Sequence, residues 1–211
     1  MKKFLLIILF VLFDTMAFTQ VFSVSADKNN VLYIGVDNPL SIVVEKYNVS
    51  ELIIKADKGE LFGGAGTKYI YRGSQPGVVA ISIADKYTGK EIGKVFFRAK
   101  YIPDPVAKIG PSTGGRVQKP VLMNQQFIRA EPENFDFDIF FKIESFTAVI
   151  IKKDSCFYRE IKNQGNKFNE ELTKALLNIE KNDMLIFKDI FIRSPDGRDR
   201  FISPAVFSVT E

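Results

Sequence analysis

The first hundred residues alternate apolar and polar positions in short runs, and this period of two predicts β-strands. VLYIGV (31–36) and LSIVVE (40–45) are separated by the turn residues Asp37-Asn38-Pro39. The same pattern continues in ELIIKA (51–56), KYIYR (68–72), VVAISIA (78–84) and KVFFRAKYI (94–102). Short strands at regular spacing, separated by glycine-containing breaks, predict an antiparallel immunoglobulin-like sandwich over residues 20–102.

Residues 103–116 interrupt this pattern. Pro103 and Pro105 stiffen the chain toward an extended form, whereas Gly110, Gly114 and Gly115 loosen it. The segment therefore predicts a linker between two domains.

The second half, residues 117–211, has longer apolar runs. FDFDIFFKIESFTAVIIKK (135–153) predicts one long strand that is bent or interrupted near Ser145. Two further runs, at 184–193 and 200–209, flank Ser194-Pro195-Asp196-Gly197. Proline followed by Asp-Gly is a strong turn signal, so these two runs predict a hairpin.

One segment of the second half, NEELTKALLNIEKN (169–182), predicts a helix. Asn169 is a suitable N-cap, and the two glutamates that follow it suit the positive end of the helix dipole. Leu172, Leu176 and Ile179 recur at helical spacing and define a buried face. The fold class predicted overall is mainly β, with two tandem β-rich domains and one helix that covers the second sheet.

The composition removes many catalytic classes. The sequence of 211 residues contains no histidine and one cysteine, Cys156. A Ser-His-Asp triad, a Cys-His pair and histidine-based zinc sites are therefore excluded. A single cysteine also forms no intramolecular disulfide, so packing has to supply the stability.

The N-terminus predicts export. Lys2 and Lys3 precede an unbroken apolar run of ten residues, from Phe4 to Phe13. A helix of ten residues covers about half of the ~30 Å hydrocarbon core, which favours a cleaved signal peptide over an anchor. We predict a signal peptide over residues 1–19, with cleavage after Ala17 or just before Gln20, and no stable membrane span afterwards.

The charge balance argues against nucleic acid as a partner. The chain has 29 basic and 25 acidic residues, and removing the signal peptide leaves a small positive excess with interspersed signs. Binding of nucleic acid requires a clustered basic stripe, which the pattern does not contain.

Asp136 and Asp138 are the most suggestive acidic pair. On a strand they would share one face, opposite Phe135, Phe137 and Ile139. Carboxylates at i and i+2 lie within about 7 Å of each other, which is compatible with a glycosidase pair. A solvated strand face explains the same pattern more simply. No calcium-loop spacing follows Asp138, and we predict no metal or other cofactor.

Three regions of the sequence, the last of them made of two stretches, resemble a known family, the C-terminal periplasmic region of GldM from gliding motility and type IX secretion. NVLYIGVDNPLSI (30–42) resembles the first strand pair of the penultimate GldM domain. FRAKYIPDPVAKIGPSTGG (97–115) is similar to the junction with the last domain. NFDFDIFFKIESFTAV (134–149) and FKDIFIRSPDGRDRFISPAVFSV (187–209) resemble the core strand and final hairpin of that domain.

The resemblance implies two β-domains at the outer end of a periplasmic shaft, without enzymatic activity. It also implies protein partners on the outer-membrane side of the machine, and it leaves a homodimer open. GldM itself is longer and carries an inner-membrane motor helix, so the motor role does not transfer. We therefore expect a non-catalytic periplasmic interaction module, with outer-membrane association left open.

The residues that we expect at the contact surface are Asp136, Asp138, Pro195, Asp196 and Arg198, together with Pro103 and Pro105 of the linker. An envelope polysaccharide-acting protein or a carbohydrate-binding surface protein is the alternative. Acidic groups that face each other across a cleft would favour the first of these, and an exposed aromatic platform would favour the second.

Overall fold

The computed structural model describes residues 22–26, 30–64, 66–153 and 158–211. The predicted signal peptide and Cys156 lie outside these residues. The chain divides into two compact units. The first contains Asn38–Tyr71, Gly77–Arg98 and the residues up to Leu32, and the second contains Ala99–Glu211 with two short earlier segments, Tyr33–Asp37 and Arg72–Pro76.

The first unit is an immunoglobulin-like β-structure, as predicted. Its strands are β1 (Phe22–Ala26), β2 (Val31–Tyr33), β3 (Asn38–Val44), β4 (Leu52–Ala56), β5 (Glu60–Gly63), β6 (Lys68–Arg72), β7 (Gly77–Asp85) and β8 (Glu91–Lys100). They form two four-stranded sheets, in the orders β1-β3-β6-β5 and β2-β8-β7-β4. Alternate residues of β3, such as Leu40 and Ile42, are buried, so the period of two in the sequence sets the core face.

The second unit is a β-sheet with helices. Its strands are β9 (Val106–Lys108), β10 (Gly115–Gln118), β11 (Arg129–Glu131), β12 (Lys142–Ile151), β13 (Tyr158–Gln164), β14 (Met184–Arg193), β15 (Asp199–Ile202) and β16 (Ala205–Thr210). The helices are α1 (Lys119–Met123) and α2 (Glu170–Leu177). Six strands form one sheet in the order β10-β16-β14-β12-β13, with β15 paired to β14, while β9 and β11 form a separate two-stranded ladder. Over the described residues, no helix has the length and apolar character needed to cross a bilayer.

The inward face of the six-stranded sheet carries an aromatic core. Phe187 lies 5.4 Å from Phe146 and 6.1 Å from Phe207 between ring centroids, both in edge-to-face geometry. Leu172 and Leu176 of α2 belong to the same buried cluster, as the helical spacing predicted. The mainly β architecture with a helix on the second sheet is therefore confirmed.

The helix α2 is shorter than predicted. Its N-cap is Asn169, whose side-chain oxygen accepts the N–H of Leu172 at 2.8 Å, as expected. The helix ends at Leu177 instead of continuing to residue 182. The Asp183 carboxylate accepts the N–H of Glu180 at 2.7 Å, and this bond holds the segment after the helix in a turn.

The predicted long strand over 135–153 begins only at Lys142. Register shifts on both sides of Ser145 confirm the predicted interruption there. Residues 135–141 are not assigned to a strand, so the prediction of strand for them was wrong. An alternation of burial is nevertheless present, since Phe135, Phe137 and Ile139 are partly buried whereas Asp136 and Asp138 are exposed. A strand requires a pairing partner as well as alternation, and the sequence pattern contains only the alternation.

The segment 103–116 contributes to the second unit. It contains β9 and the first residues of β10, and it places Ala107 and Ile109 in the buried core. Pro105 is buried as well, whereas Pro103 is exposed. Part of the predicted linker is therefore core, because β9 pairs with β11 and places Ala107 opposite Ala130.

Candidate interaction surface

The turn between β14 and β15 is held by a buried carboxylate. Gly197 donates its N–H to the carbonyl of Ser194 at 3.0 Å and closes the predicted turn. Pro195 is exposed, but the Asp196 side chain is fully buried. Its Oδ2 accepts the backbone N–H of Ile102 at 3.2 Å. Asp196 therefore ties the turn to the start of the 103–116 segment.

Two arginines complete this arrangement. Arg198 donates from Nη2 to Asp196 Oδ2 at 2.8 Å and to the Ile102 carbonyl at 2.9 Å. Its guanidinium also lies 4.0 Å from the ring centroid of Tyr101. Arg200 lies with Nη1 3.4 Å from Asp196 Oδ1. We call Asp196, Arg198, Arg200 and Ile102 the Asp196 latch.

The latch keeps its carboxylate ionised. Burial alone would raise the pKa of Asp196, but the hydrogen bonds and charge of Arg198 hold this pKa below its usual range. The carboxylate is consequently committed to internal partners. Of the residues predicted in this turn, Pro195 and part of the Arg198 side chain face solvent, whereas Asp196 acts inside the fold.

Asp136 and Asp138 are both exposed, on the irregular segment before β12. Neither residue lines the pocket beside α2 or the pocket beside β11. The described part of the chain has no group of three or more His, Cys, Asp or Glu side chains that could hold a metal ion. The two carboxylates are therefore solvent-exposed and lie outside both of these pockets.

A larger surface feature lies on the outward side of the six-stranded sheet. Because side chains alternate along a strand, the pairing register assigns each residue to one side. Val149 of β12 lies opposite Glu160 of β13 and Ile186 of β14, and Ile186 lies opposite Val206 of β16. Val149, Ile186 and Val206 each lie between two core residues, and Glu160 precedes the buried Ile161. They form one cross-strand row on the side away from the aromatic core.

The next row is also largely apolar. Ile151 lies opposite Tyr158 and Met184, and Met184 lies opposite Ser208. The exposed fractions are 60% for Tyr158, 38% for Met184 and 42% for Val206. We call this set the open sheet face. Its exposed apolar members are Tyr158, Met184 and Val206, beside the partly buried Ile151 and Ile186, whereas Val149 in the middle of the sheet is only 6% exposed.

A polar row and an aromatic pair extend the same side of the sheet. Thr147 lies between Lys162 and Lys188, and Lys188 donates to Glu160 at 2.7 Å. This hydrogen bond raises the pKa of Lys188 above its usual range. Beyond that row, the rings of Phe191 and Phe201 lie 5.1 Å apart, and Phe201 is 66% exposed. The face thus offers apolar area with polar groups between, which is typical of protein-binding surfaces.

Sequence reasoning missed this face. Phe201 of this face is largely exposed, as are Phe140 elsewhere in the second unit and Phe96 in the first unit. The alternation in MLIFKDIFIR carries part of the signal, because apolar residues occupy both sides of β14. Which side is covered depends on α2, and no local pattern contains that information.

Similarity to solved structures is low. The chain is 9% identical to the Yersinia pseudotuberculosis adhesin InvE, with a TM-score of 0.31. The match covers 88% of this chain and 58% of the adhesin. For the human mucin-like protocadherin EC1-2 the identity is 10%, the TM-score 0.25, and the covered shares 89% and 98%. For the four N-terminal immunoglobulin domains of Dscam1 the identity is 7% and the TM-score 0.22, and the match covers 91% of this chain and 52% of the Dscam1 chain. These values carry no argument about function, and no curated protein sequence matches the chain significantly.

Two family models match the chain in tandem. Residues 21–100 match the GldM third domain, and residues 103–210 match the GldM C-terminal domain. The order of the two domains agrees with the resemblance seen in the three sequence regions. Beyond the N-terminal residues 1–20, the two matches leave only residues 101, 102 and 211 uncovered. The chain therefore belongs to the GldM family, whose third and C-terminal domains it contains.

Proposed function

We propose that this protein is a non-catalytic interaction module of the periplasm that binds protein components of a gliding or type IX secretion apparatus. The observation that carries the proposal is the tandem match to two GldM domains over residues 21–100 and 103–210. GldM domains are structural components of that machinery. The predicted signal peptide over residues 1–19 supports a periplasmic location, and a homodimer remains part of the proposal.

The open sheet face is the surface that we assign to partner binding. It combines exposed aromatic and aliphatic side chains with paired charges, and aromatic residues and methionine are enriched in protein interfaces. Tyr158, Met184 and Val206 are its exposed apolar members. Asp136, Asp138 and Pro195 remain proposed contacts because they are exposed. Asp196 is proposed only as the residue that positions the turn.

The polysaccharide alternative has less support. A hydrolase that uses two carboxylates needs them on either side of a bound substrate. Asp136 and Asp138 are exposed on one irregular segment and line neither the pocket beside α2 nor the pocket beside β11. A carbohydrate platform needs aromatic rings in one plane, whereas the rings of Phe191 and Phe201 are inclined by 47°.

The proposal is tested by affinity purification from cell envelopes. The tagged wild-type chain is compared with a Tyr158→Glu, Met184→Glu double variant. These substitutions place charges on two side chains that we expect to become buried when a partner binds. The matched control is Tyr87→Glu, Phe96→Glu, which alters two exposed aromatic residues of the first unit. We expect wild type and control to retain gliding or type IX components and the open-face variant to lose at least nine-tenths of them.

Two results would contradict the proposal. Recovery of no such component by the wild-type chain would remove the partner claim altogether. Equal recovery by the open-face variant and the wild type would show that partners bind elsewhere, and would remove the assignment of the face. Thermal melts of the three proteins serve as the folding control.

A further inference from the structure

Strand β13 is the last strand of the six-stranded sheet, and no other described strand pairs with its outer edge. Five of its seven residues are exposed, and the two buried ones are Ile161 and Asn163. A strand at the edge of a sheet presents backbone N–H and C=O groups that can pair with another chain. Because β13 is largely exposed, this edge is accessible from solvent.

The hydrogen bonds beside β13 show which of its backbone groups point outward. The N–H of Gly165, just after the strand, donates to the carbonyl of Glu144 in the strand order of β12 at 2.7 Å. Hydrogen-bonded positions alternate along an antiparallel pair, so odd-numbered residues of β13 bond to β12 and even-numbered residues direct their N–H and C=O outward. The carbonyl of Lys162 agrees with this direction, because it accepts a hydrogen bond from the Asn169 side chain at 2.9 Å.

The outward groups are occupied at one end of the strand and available at the other. Asn169, the N-cap of α2, occupies the carbonyl of Lys162. The N–H of Lys162 and both backbone groups of Tyr158 and Glu160 have no hydrogen-bond partner among the described residues. These donors and acceptors alternate along the edge, which is the arrangement that the backbone of an added strand requires.

The side chains of this stretch on the open sheet face are Tyr158, Glu160 and Lys162. Tyr158 is 60% exposed. The carboxylate of Glu160 already accepts a hydrogen bond from Lys188 at 2.7 Å. Lys162 is exposed, lies opposite the uncharged Thr147, and forms no ion pair within the part of the chain that the structure describes. Cross-strand pairs are most favourable when apolar groups or opposite charges face each other, so Tyr158 suits an apolar neighbour and Lys162 an acidic one.

Two other cations beside this edge already have carboxylate partners. Lys188 bonds to Glu160 and is also close enough to Asp189 for that charge to help raise its pKa. On the opposite side of the sheet, Arg159 donates to Glu171 of α2 at 2.8 Å. Charged side chains on an edge strand oppose pairing with an arbitrary chain. The edge of β13 therefore selects for a guest that complements Lys162.

We propose that the outer edge of β13 binds an extended segment of a partner protein, which adds one strand to the six-stranded sheet. Tyr158 and Lys162 are four residues apart on one side of the sheet, so the guest residues beside them are also four apart and share that side. The guest residue beside Tyr158 is apolar, and the one beside Lys162 is acidic. The inference rests on the proposed function and names its recognition mode, strand addition that continues the open sheet face.

Peptide selection on the full chain tests this site. The probe is a phage-displayed library of random twelve-residue peptides, selected on the immobilised protein, and affinities of enriched peptides are measured on wild type, Glu160→Pro and Lys162→Glu. Proline at position 160 removes an outward N–H and leaves the hydrogen bonds to β12 in place. Glu160→Ala is its matched control, because it loses the same ion pair but keeps the N–H. Lys55→Glu, an exposed lysine on the edge strand β4, is the charge control.

We expect enriched peptides with an apolar and an acidic residue four positions apart. Their affinity should fall at least tenfold in Glu160→Pro and Lys162→Glu, and stay within twofold in Glu160→Ala and Lys55→Glu. If Glu160→Pro fails to fold, as thermal melting would reveal, Lys162→Glu decides the outcome. No enrichment, or equal affinity for all folded variants, would overturn the proposal. So would a folded Glu160→Pro that binds as well as Glu160→Ala, because backbone pairing would then be absent.

The same variants separate this site from the proposed function. If Glu160→Pro retains gliding or type IX components while the open-face variant loses them, the proposed function stands and strand addition by those partners is rejected. If the wild type retains none while selected peptides still depend on Lys162 and on the N–H of residue 160, the edge binds extended segments but the partner assignment fails.

Discussion

The carboxylate of Asp196 accepts the backbone N–H of Ile102 at 3.2 Å, although the two residues are 94 positions apart. Arg198 bridges the same pair from the other side, since it donates to both Asp196 and the Ile102 carbonyl. The turn that the sequence marks as a local hairpin signal thus also holds the chain at the beginning of the 103–116 segment.

Replacing Asp196 by Asn should destabilise the second unit by about 3 kcal/mol at pH 7, because Arg198 and Arg200 lose a buried charge partner. The folded-state pKa of Asp196 is lowered, so its contribution is fully present above the unfolded-state value of about 3.9 and is lost as pH falls through the folded-state pKa. The difference in the free energy of unfolding between Asp196→Asn and wild type should therefore narrow toward pH 3. Urea unfolding at several pH values measures it.

Asp199→Asn is the control for the latch. Asp199 pairs with Arg193 at 3.5 Å, but both side chains are well exposed, so the cost should be below about 1 kcal/mol. A loss in Asp196→Asn that is as small as this, or that does not change with pH, would contradict the latch.

Gly35→Ala should be among the most damaging small substitutions in the second unit. Gly35 has φ of 77°, and an added Cβ would lie 2.3 Å from the Pro195 carbonyl oxygen. Gly197→Ala is a matched control, since Gly197 has φ of 78° but nothing within 4 Å of the added atom. Both variants bear the left-handed backbone cost of about 1–2 kcal/mol, and only Gly35→Ala adds a backbone clash. If the two variants lose the same free energy of unfolding in denaturant, the close approach of Gly35 to the Pro195 carbonyl is absent.

Asn163 organises the loop before α2. Its side chain donates to the carbonyls of Gln164, Gly165 and Lys167 and accepts the N–H of Asn169 at 2.7 Å. We expect Asn163→Ala to cost about 3 kcal/mol, because several buried polar groups lose their partner. The cap variant Asn169→Ala should cost about 1 kcal/mol. The reverse order in urea unfolding would contradict this assignment.

Val206 and Val209 lie on the same strand, β16, but on opposite sides of the sheet. Val206 is 42% exposed, and Val209 is fully buried. Val206→Ala should therefore cost less than about 1 kcal/mol, whereas Val209→Ala should cost about 2–3 kcal/mol through the cavity that it leaves. Similar costs for the two variants would show that the open sheet face is covered in solution.

Local patterns predicted much of the second unit. The N-cap at Asn169, the interruption at Ser145 and the turn at Pro195 each depend on a few neighbouring residues, and all three are present. The end of α2 could not be predicted in the same way. It depends on Asp183, which also accepts a hydrogen bond at 2.7 Å from Lys152, a residue that follows β12 and lies 31 positions earlier in the chain.

The candidate surface required non-local information for the same reason. Asp136 and Asp138 alternate with aromatic residues, and this alternation suggested a strand. Alternation does not show whether the segment has another strand to pair with. The open sheet face combines residues of β12, β13, β14 and β16. Its position follows from the pairing register and from the location of α2 on the other side. A sequence pattern shows that Val206 alternates with Phe207, but not which of the two is covered.

The most direct test of the central claim is site-specific photo-crosslinking in living cells. A benzoylphenylalanine replaces Tyr158 on the open sheet face, and in a second strain it replaces Tyr87 of the first unit, which is 78% exposed. The account predicts adducts between position 158 and a gliding or type IX secretion component, with few or none from position 87. Such adducts from position 87 alone, or from neither position, would contradict it.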